Sequence, residues 1–421
     1  MKAILNRSLY LLIAFLIATE GLFVGQYMVV GVAGYRWLEL LIFVLLLKQF
    51  LKDLKSNKFL VFYVKFLFIL IFFLGIKAGY LMFFEDYLDF VPFKQMMRVP
   101  FFLIVPYLIY FVAKKDIKYL KIILLIQVLI FSVAFFQFPL TPLTDLSWEL
   151  KYNYFAENIP KGIIDELGAD ALKARVPSLY AYAIPFSYAL AAGGILSAYL
   201  YKKTNNTIYI LAIAFMVIVA AMSLTRSAVL ALLFLLLYVS FAPGKKKALV
   251  KYLVIVGLGY VLVTVSIEYV ESISRLTNTE DSSASGRIPL MITGVYALIL
   301  NPFGVSPDAY QTAKEEMYAI FQHPHILEFT AHNGLINFGF YYTLMGLLVF
   351  IYLLYIVKKK YLTQLTKQMK MFFMVAFFAY LLQAFFHNSF IFTKDFGILI
   401  IVALLMYEYR ISKDKRVKNA K

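Results

Sequence analysis

The sequence predicts an all-α polytopic membrane protein with about twelve transmembrane helices and two large extracytoplasmic loops. Hydrophobic residues make up 62% of the 421 residues and charged residues only 15%, whereas a soluble globular domain rarely exceeds about half apolar. Apolar segments of about 20 residues recur along the chain and are separated by lysine-rich patches, which is the pattern of repeated bilayer-spanning helices.

The distribution of positive charge assigns a side of the membrane to each connecting segment. With the N-terminus in the cytoplasm, the cytoplasmic segments carry 27 of the 41 lysine and arginine residues, as the positive-inside rule requires. Both termini are therefore expected in the cytoplasm. The predicted spans are residues 8–26, 29–47, 59–79, 92–112, 119–138, 178–200, 207–222, 226–242, 249–267, 335–357, 371–387 and 389–408.

These spans divide the chain into five regions. The longer outer loop contains an apolar segment, Ile288 to Leu300, that is too short to cross the bilayer, so we expect it to dip into the interface or pack on the bundle. Asn301-Pro302-Phe303-Gly304 should end this segment, and Pro307 to Gln322 is predicted as another short helix. The regions are 1–138 (spans 1–5), 139–177 (first outer loop), 178–267 (spans 6–9), 268–334 (large outer loop) and 335–421 (spans 10–12 and a basic cytoplasmic tail).

Composition also excludes several classes of function. The chain has no cysteine, which excludes disulfides, thiol nucleophiles and thiolate metal sites. The net charge of +17 lies mostly in short loops between spans, so nucleic acid is not an expected partner. Met1 to Arg7 is basic, but the apolar run after it lacks a cleavage site and is predicted as the first span rather than a signal peptide.

Arginine and lysine are distributed differently between the two sides. The cytoplasmic segments hold 24 Lys and 3 Arg, whereas the outer segments hold 7 Lys and 6 Arg. Arginine is the better residue for planar, bidentate recognition of phosphate, so the outer face is predicted to bind an anion; the alternative is a chance excess in a small number. Glu39 follows Arg36 by three residues and is expected to neutralise it on one helix face. The outer arginines are Arg36, Arg98, Arg175, Arg226, Arg275 and Arg287.

Three of these arginines are candidate anion ligands. Arg226 lies in the very short turn between spans 7 and 8, where a cation at membrane depth is costly unless it is paired or faces a polar cavity. The alternative is an arginine that snorkels from a helix end. Arg175 ends the first outer loop, and Arg287 opens the short apolar segment close to a helix N-terminus. For both, the alternative is a solvated loop arginine.

His332 is the best acid/base candidate, because the unperturbed pKa of histidine is about 6.5. The alternative is a hydrogen-bonded histidine at the interface. Asn333 is a candidate to orient His332 or bind substrate, and His387 repeats the His-Asn pair at the turn between spans 11 and 12. His323-Pro324-His325 with Glu328 and His332 is an alternative metal cluster, but the proline-split pair has no standard ligand spacing, so no metal is expected.

These motifs resemble the bacterial O-antigen ligase and polymerase family, the Wzy and WaaL type of membrane glycosyltransferase. The family shows an S-x-T/S-R-x-A-like helix start, an arginine that opens the main outer loop, and an H-N-x-x-L-x-x-x-G-like entry to the next span. The resemblance covers roughly residues 175–350, with Ile336 in place of the usual leucine. The matching residues are Ser223-Leu224-Thr225-Arg226-Ser227-Ala228, Ser285-Gly286-Arg287, Asn301-Pro302-Phe303-Gly304-Val305, His332-Asn333, Gly339 and Arg175.

The resemblance implies a GT-C-like fold and an enzyme of the bacterial plasma membrane. Such enzymes move a glycan from undecaprenyl pyrophosphate to an acceptor on the outer face, with inversion and without metal or other cofactor. Polymerases use another lipid-linked repeat unit as acceptor, and ligases use a lipid A core. Flippases and chain-length regulator proteins are the protein partners that the resemblance implies. A transporter is the rival class, but the chain has two long one-sided loops and no internal repeat.

The resemblance also gives the candidate residues their roles. The donor pyrophosphate is a strong anion, which Arg226 and Arg287 would hold while stabilising the leaving charge. His332 would deprotonate or orient the acceptor hydroxyl. The remaining candidates for substrate binding are Arg175, Asn333, His387, Trp148 and Tyr152, of which the two aromatic residues would stack on sugar rings.

Overall fold

The computed structural model is built almost wholly of helices over the residues that it describes. These residues are 2–20, 22, 28–29, 32–85, 87, 91–137, 178–180, 183–223, 225–240, 286–331, 333–385 and 396–419. The helices are α1 (Lys2–Ala18), α2 (Gly34–Leu45), α3 (Leu47–Ser56), α4 (Lys58–Phe84), α5 (Val91–Lys115), α6 (Lys118–Gln137), α7 (Ala183–Thr204), α8 (Ile208–Met222), α9 (Arg226–Ser240), α10 (Arg287–Leu300), α11 (Pro307–Phe321), α12 (His325–Glu328), α13 (Gly334–Ile356), α14 (Lys367–Phe385) and α15 (Phe396–Asn419).

Six of the described helices are long and apolar enough to cross a membrane, namely α4, α5, α6, α7, α13 and α14. They coincide with six of the predicted spans. Shorter apolar helices occupy three more predicted spans, at α1, α8 and α9. The span predicted at 249–267 lies outside the described residues, and twelve spans therefore remain a prediction.

The span predicted at 29–47 differs from the structure. Met28–Val29 pairs antiparallel with Val32–Ala33 in strands β1 and β2, and the helix begins only at Gly34. β-branched residues favour extended backbone, which is the physical reason for the late start. The helix α2 is 12 residues long, about 18 Å, and is too short for a hydrocarbon core of about 30 Å.

Two buried carboxylates form ion pairs with lysines of neighbouring helices at one end of the bundle. The Asp53 carboxylate of α3 accepts hydrogen bonds from Lys114 Nζ of α5 and from the Tyr107 hydroxyl. Glu408 of α15 pairs in the same way with Lys203 at the end of α7. Buried charges persist in proteins when they are paired and hydrogen-bonded, so these contacts fix the order of the helices at what we call the lysine-rich end.

The opposite end holds a second buried ion-pair cluster. Arg36 Nη1 donates to Glu39 Oε2 at 2.8 Å, which confirms the pairing predicted from their spacing. Arg36 Nη2 also donates to Glu20, which follows α1 and is a partner that the sequence spacing did not reveal. Arg36 is therefore neutralised by two carboxylates and joins α1 to α2.

Helix direction at this opposite end follows from two short turns and two side-chain contacts. Short turns connect α7, α8 and α9, so α9 runs parallel to α7. Gln383, near the C-terminus of α14, donates to the Ser187 hydroxyl near the N-terminus of α7 at 3.2 Å. The rings of Phe234 in α9 and Phe378 in α14 are 4.9 Å apart. Consequently α14 runs antiparallel to α9, and the C-terminus of α14 lies at the same end as the N-terminus of α9.

The short helix α10 packs beside α13, as expected for a segment too short to span, and the two helices run parallel. Their contacts recur at a sequence offset of 41 or 42 residues along both helices. Glycine makes the approach possible, because a Cβ at Gly294 would lie 2.7 Å from Ile336 Cγ2, and one at Gly339 would lie 2.7 Å from Leu298 Cδ1. The contacting pairs are Met291 with Asn333, Gly294 with Ile336, Leu298 with Gly339, and Pro302 with Leu344.

The replacement Gly294→Ala should destabilise the protein through this contact. The new Cβ would lie 2.8 Å from Ala331 Cβ and 2.7 Å from Ile336 Cγ2, and overpacking of this kind typically costs about 1–3 kcal/mol. The matched control is Gly79→Ala in α4, where a Cβ meets nothing within 4 Å and alanine favours the helix by about 1 kcal/mol. Melting temperatures in detergent should fall for Gly294→Ala and hold or rise for Gly79→Ala. Equal stability of the two variants would contradict the packing described.

Candidate functional site

The N-termini of α10 and α13 form the centre of the candidate site. Because the helices are parallel, both positive dipole ends lie at the same end of the bundle. Arg287 is the first residue of α10 and precedes Met291 by one turn, and Met291 Sδ is 3.9 Å from Asn333 Nδ2. Arg287 therefore lies about 6 Å from Met291 along the axis of α10, towards the helix N-terminus. The structure thus brings together two of the predicted site residues in a setting suited to an anion.

The Asn333 side chain caps α13 and joins it to α14. Its Oδ1 accepts hydrogen bonds from the backbone N–H groups of Leu335 at 2.9 Å and Ile336 at 3.2 Å. Its Nδ2 donates to the carbonyl of Phe385, the last residue of α14, at 3.3 Å. Asn333 is buried, and an asparagine cap contributes about 0.5–2 kcal/mol. These bonds orient Asn333 as the link between the two helices.

His332 itself lies outside the described residues, but the residues on both sides of it are firmly held. The Ala331 N–H donates to the Tyr310 hydroxyl at 3.0 Å, and the Ala331 carbonyl accepts from Asn337 Nδ2 at 3.0 Å. Burial raises the pKa of Tyr310 to about 12, so its hydroxyl stays protonated at neutral pH. With Asn333 bonded on the other side, the backbone that carries His332 is anchored at both flanks.

Helix α11 confirms the predicted short helix, and it packs against the segment that leads to Ala331. It begins after Ser306, whose hydroxyl accepts from the Ala309 N–H at 3.1 Å, and it ends at Gln322 in the left-handed conformation with φ 50°. Lys314 Nζ donates to the Leu327 carbonyl at 3.0 Å, and burial lowers the pKa of Lys314. The segment leading to Ala331 is thereby fixed against α11.

Arg226 begins α9 at the same end of the bundle. The turn before it is held by the Ser223 hydroxyl, which lies 2.8 Å from the Thr225 hydroxyl and 2.8 Å from the Ala220 carbonyl. The rings of Phe234 and Phe378 are in contact. Arg226 lies about 12 Å from Phe234 along α9, and Phe385 lies a similar distance from Phe378 along α14, towards the same end of the bundle. Arg226 is therefore level with the Phe385 carbonyl that binds Asn333.

Two histidines lie against the start of α10, a proximity that the sequence reading missed. A Cβ at Gly286 would lie 2.9 Å from both His323 Cε1 and His325 Cδ2, so only glycine fits before Arg287. His325 Nδ1 is 3.2 Å from Glu328 Oε2. Within the described part of the chain, no three His, Asp or Glu side chains form a group able to hold a metal ion. The sequence did contain one indication that the histidines lie near the start of α10. The helix break at Asn301-Pro302 is followed by a second helix, α11, which can bring the chain back to that end.

The other predicted site residues lie outside the described residues. They stay predictions, including the aromatic residues of the first outer loop and the second His-Asn pair. Asn333 bonds to the carbonyl of Phe385, which precedes His387 by two residues in the sequence. The residues in question are Arg175, His387, Trp148 and Tyr152.

Comparison with known proteins agrees with the motifs. Residues 211–351 match a family model described as O-antigen ligase, and this stretch contains Arg226, Arg287 and Asn333. No curated protein matches the chain, and no solved structure does. The match runs from α8 into the second half of α13, and so covers the helices that form the candidate site. The chain is a multi-pass membrane protein that is similar to the O-antigen ligase family over residues 211–351.

Proposed function

We propose that the protein is an extracytoplasmic polymerase of a surface polysaccharide, such as O-antigen, capsule or a teichuronic-type polymer. It transfers an undecaprenyl-pyrophosphate-linked glycan to the non-reducing end of another lipid-linked repeat unit. The observation that carries the proposal is the parallel pairing of α10 and α13, which puts Arg287 and Asn333 at two neighbouring helix N-termini. The lysine-rich end then faces the cytoplasm, as the positive-inside rule requires, and the site faces outward from the plasma membrane.

The donor end of the reaction needs positive charge where the bond breaks. As the bond from the anomeric carbon to the pyrophosphate oxygen cleaves, negative charge develops on the undecaprenyl pyrophosphate that leaves. Guanidinium groups at Arg226 and Arg287 suit this charge, because they bind phosphate oxygens in a bidentate fork. The N–H groups at the start of α10 add to the same field. Positive charge from the chain itself makes a metal ion unnecessary in this scheme.

The acceptor end needs a group that takes up or directs a hydroxyl proton. In the proposed step, the acceptor oxygen attacks the anomeric carbon on the face opposite the pyrophosphate, which inverts the configuration. His332 accepts the proton of that hydroxyl as the new C–O bond forms. The hydrogen bonds at Ala331 and Asn333 support this role, because they fix the backbone on either side of His332.

A ligase is the second candidate, and the description of the matching family model as O-antigen ligase favours it. A ligase would use the same donor and the same leaving group, with a lipid A core as acceptor. The two functions therefore differ only in the group that approaches His332. The acceptor is best identified from the products that accumulate when the protein is absent.

Deletion of the gene should leave single repeat units on the surface anchor, because a polymerase extends units before they are attached. Gel profiles of the surface glycan measure this directly, and a plasmid copy of the gene serves as the control. Finished polymer retained on undecaprenol would identify a ligase instead. Repeat units trapped inside the cell would contradict both functions and indicate a flippase.

The replacements Arg226→Lys and Arg287→Lys should each impair transfer, because lysine keeps the charge but loses the bidentate fork. Loss of one charge-assisted contact costs about 1.5–3 kcal/mol, or roughly ten- to a hundred-fold in rate if it acts in the transition state. Arg98→Lys in α5 is the matched control, since no anion role is assigned to it. Rates of chain extension by purified protein in lipid vesicles provide the measurement. Full activity of both variants at normal expression would mean that these arginines only anchor helices.

Replacement of His332 should separate proton transfer from orientation of the acceptor. His332→Ala should abolish chain extension with little change in protein level or donor binding. His332→Gln can hydrogen-bond but cannot take a proton near neutral pH, so activity as low as that of the alanine variant indicates a general base. The same changes at His387 should be milder. A fully active His332→Ala enzyme would remove this assignment.

A further inference from the structure

The membrane helix α13 is broken at its ninth and tenth residues. Tyr342 has φ −110° and ψ 16°, and Thr343 has φ 69° and ψ 163°. Positive φ is a strained conformation for a β-branched residue. Thr343 is nevertheless buried, and its hydroxyl accepts from the Gly346 N–H at 3.2 Å, so it caps the second half of the helix. The half that carries Asn333 is thus a separate helical segment.

At the break, two backbone groups that would bond to each other in an unbroken helix both have partners outside α13. In an unbroken helix the Leu344 N–H would donate to the Phe340 carbonyl, four residues earlier. Instead, the Leu344 N–H donates to the Pro302 carbonyl at 3.1 Å, and Lys77 Nζ donates to the Phe340 carbonyl at 2.9 Å. An unsatisfied backbone group inside a bilayer is costly, so these two bonds stabilise the break.

Lys77 is well placed to set the orientation of the first half of α13. It lies in α4, within a predicted span, and is buried, whereas an isolated cation at that depth is expensive. Its ammonium also lies 6.0 Å from the centroid of the Tyr341 ring. Gly304 covers its stem, because a Cβ there would lie 3.3 Å from Lys77 Cγ. The loop after α10, from Asn301 to Gly304, therefore packs on the lysine as well as on α13.

We propose that Lys77 is a positioning residue for the transfer reaction. By bonding to the Phe340 carbonyl it holds α13 broken and keeps the half-helix that carries Asn333 in register with α10. This role rests on the proposed function, since the half-helix presents the residues assigned to the acceptor. Lys77 does not touch substrate in this scheme, so its effect should fall on turnover rather than on donor binding.

The kinetic test compares Lys77→Met, Lys77→Arg and the matched control Lys65→Met in purified protein reconstituted in lipid vesicles. Lys65 lies in the same helix, inside the same predicted span, but is exposed. Lys77→Met should lower kcat by about ten-fold or more, with the donor KM changed by no more than about two-fold. Lys77→Arg, which keeps a charged donor, should restore most of the activity, and Lys65→Met should behave as the native protein. Equal kcat values for Lys77→Met and Lys65→Met would overturn the proposal.

A distance measurement tests the same role without any assay of activity. The chain has no cysteine, so spin labels can be attached at Ile292 in α10 and Ile351 in the second half of α13, both exposed. Lys77→Met should shift or broaden the distance distribution, whereas Lys77→Arg and Lys65→Met should preserve it. An unchanged distribution in Lys77→Met would refute the positioning role. If no variant transfers glycan but the distances change as expected, the proposed function fails while the role of Lys77 stands.

Discussion

The absence of water inside a bilayer is the constraint on which the rest of this structure depends. Every backbone N–H and carbonyl at membrane depth needs a partner within the protein, and α13 meets this demand at its break with two groups from elsewhere in the chain. Lys77 Nζ bonds to the Phe340 carbonyl at 2.9 Å, and the Pro302 carbonyl accepts from Leu344 at 3.1 Å. Hydrogen bonds at the break therefore connect α13 to α4 and to the loop after α10. The candidate site lies at the N-termini of α10 and α13, whose relative position these bonds help to fix.

Parallel packing of α10 and α13 has an electrostatic consequence at their N-termini. Antiparallel neighbours cancel their dipoles, whereas parallel neighbours place both positive ends together. A cation at a helix N-terminus disfavours the helix by about 0.3–1 kcal/mol, yet Arg226 and Arg287 each occupy the first position of a helix. Helix stability does not explain that choice of residue. The proposed anion site accounts for it, because the guanidinium and the N–H groups would act on the same ligand.

Hydropathy and charge predicted the parts of the fold that depend on local sequence. The span predicted at 59–79 became α4, and the segment after Arg287 proved too short to span, as its length indicated. The sequence also predicted the Arg36–Glu39 pair, whose members are three residues apart. It missed the bond from Lys77 to Phe340, which are 263 residues apart. The register between distant helices, such as α10 and α13, is set where a glycine of one packs against a side chain of the other. A single sequence does not directly indicate which residues will be in contact.

The ion pairs reduce the number of arginines on the predicted outer side that can bind a ligand. Arg36 is one of the six outer arginines, but Glu20 and Glu39 balance its charge within the bundle. The count therefore overstates the positive charge offered to a ligand, and the argument for an anion site depends on position instead. Arg226 is level with the end of α14 that Asn333 binds, and Arg287 lies one turn from Met291, towards the N-terminus of α10. Two arginines at helix N-termini, at the same end of the bundle as Asn333, support the proposed pyrophosphate site better than the count of six does.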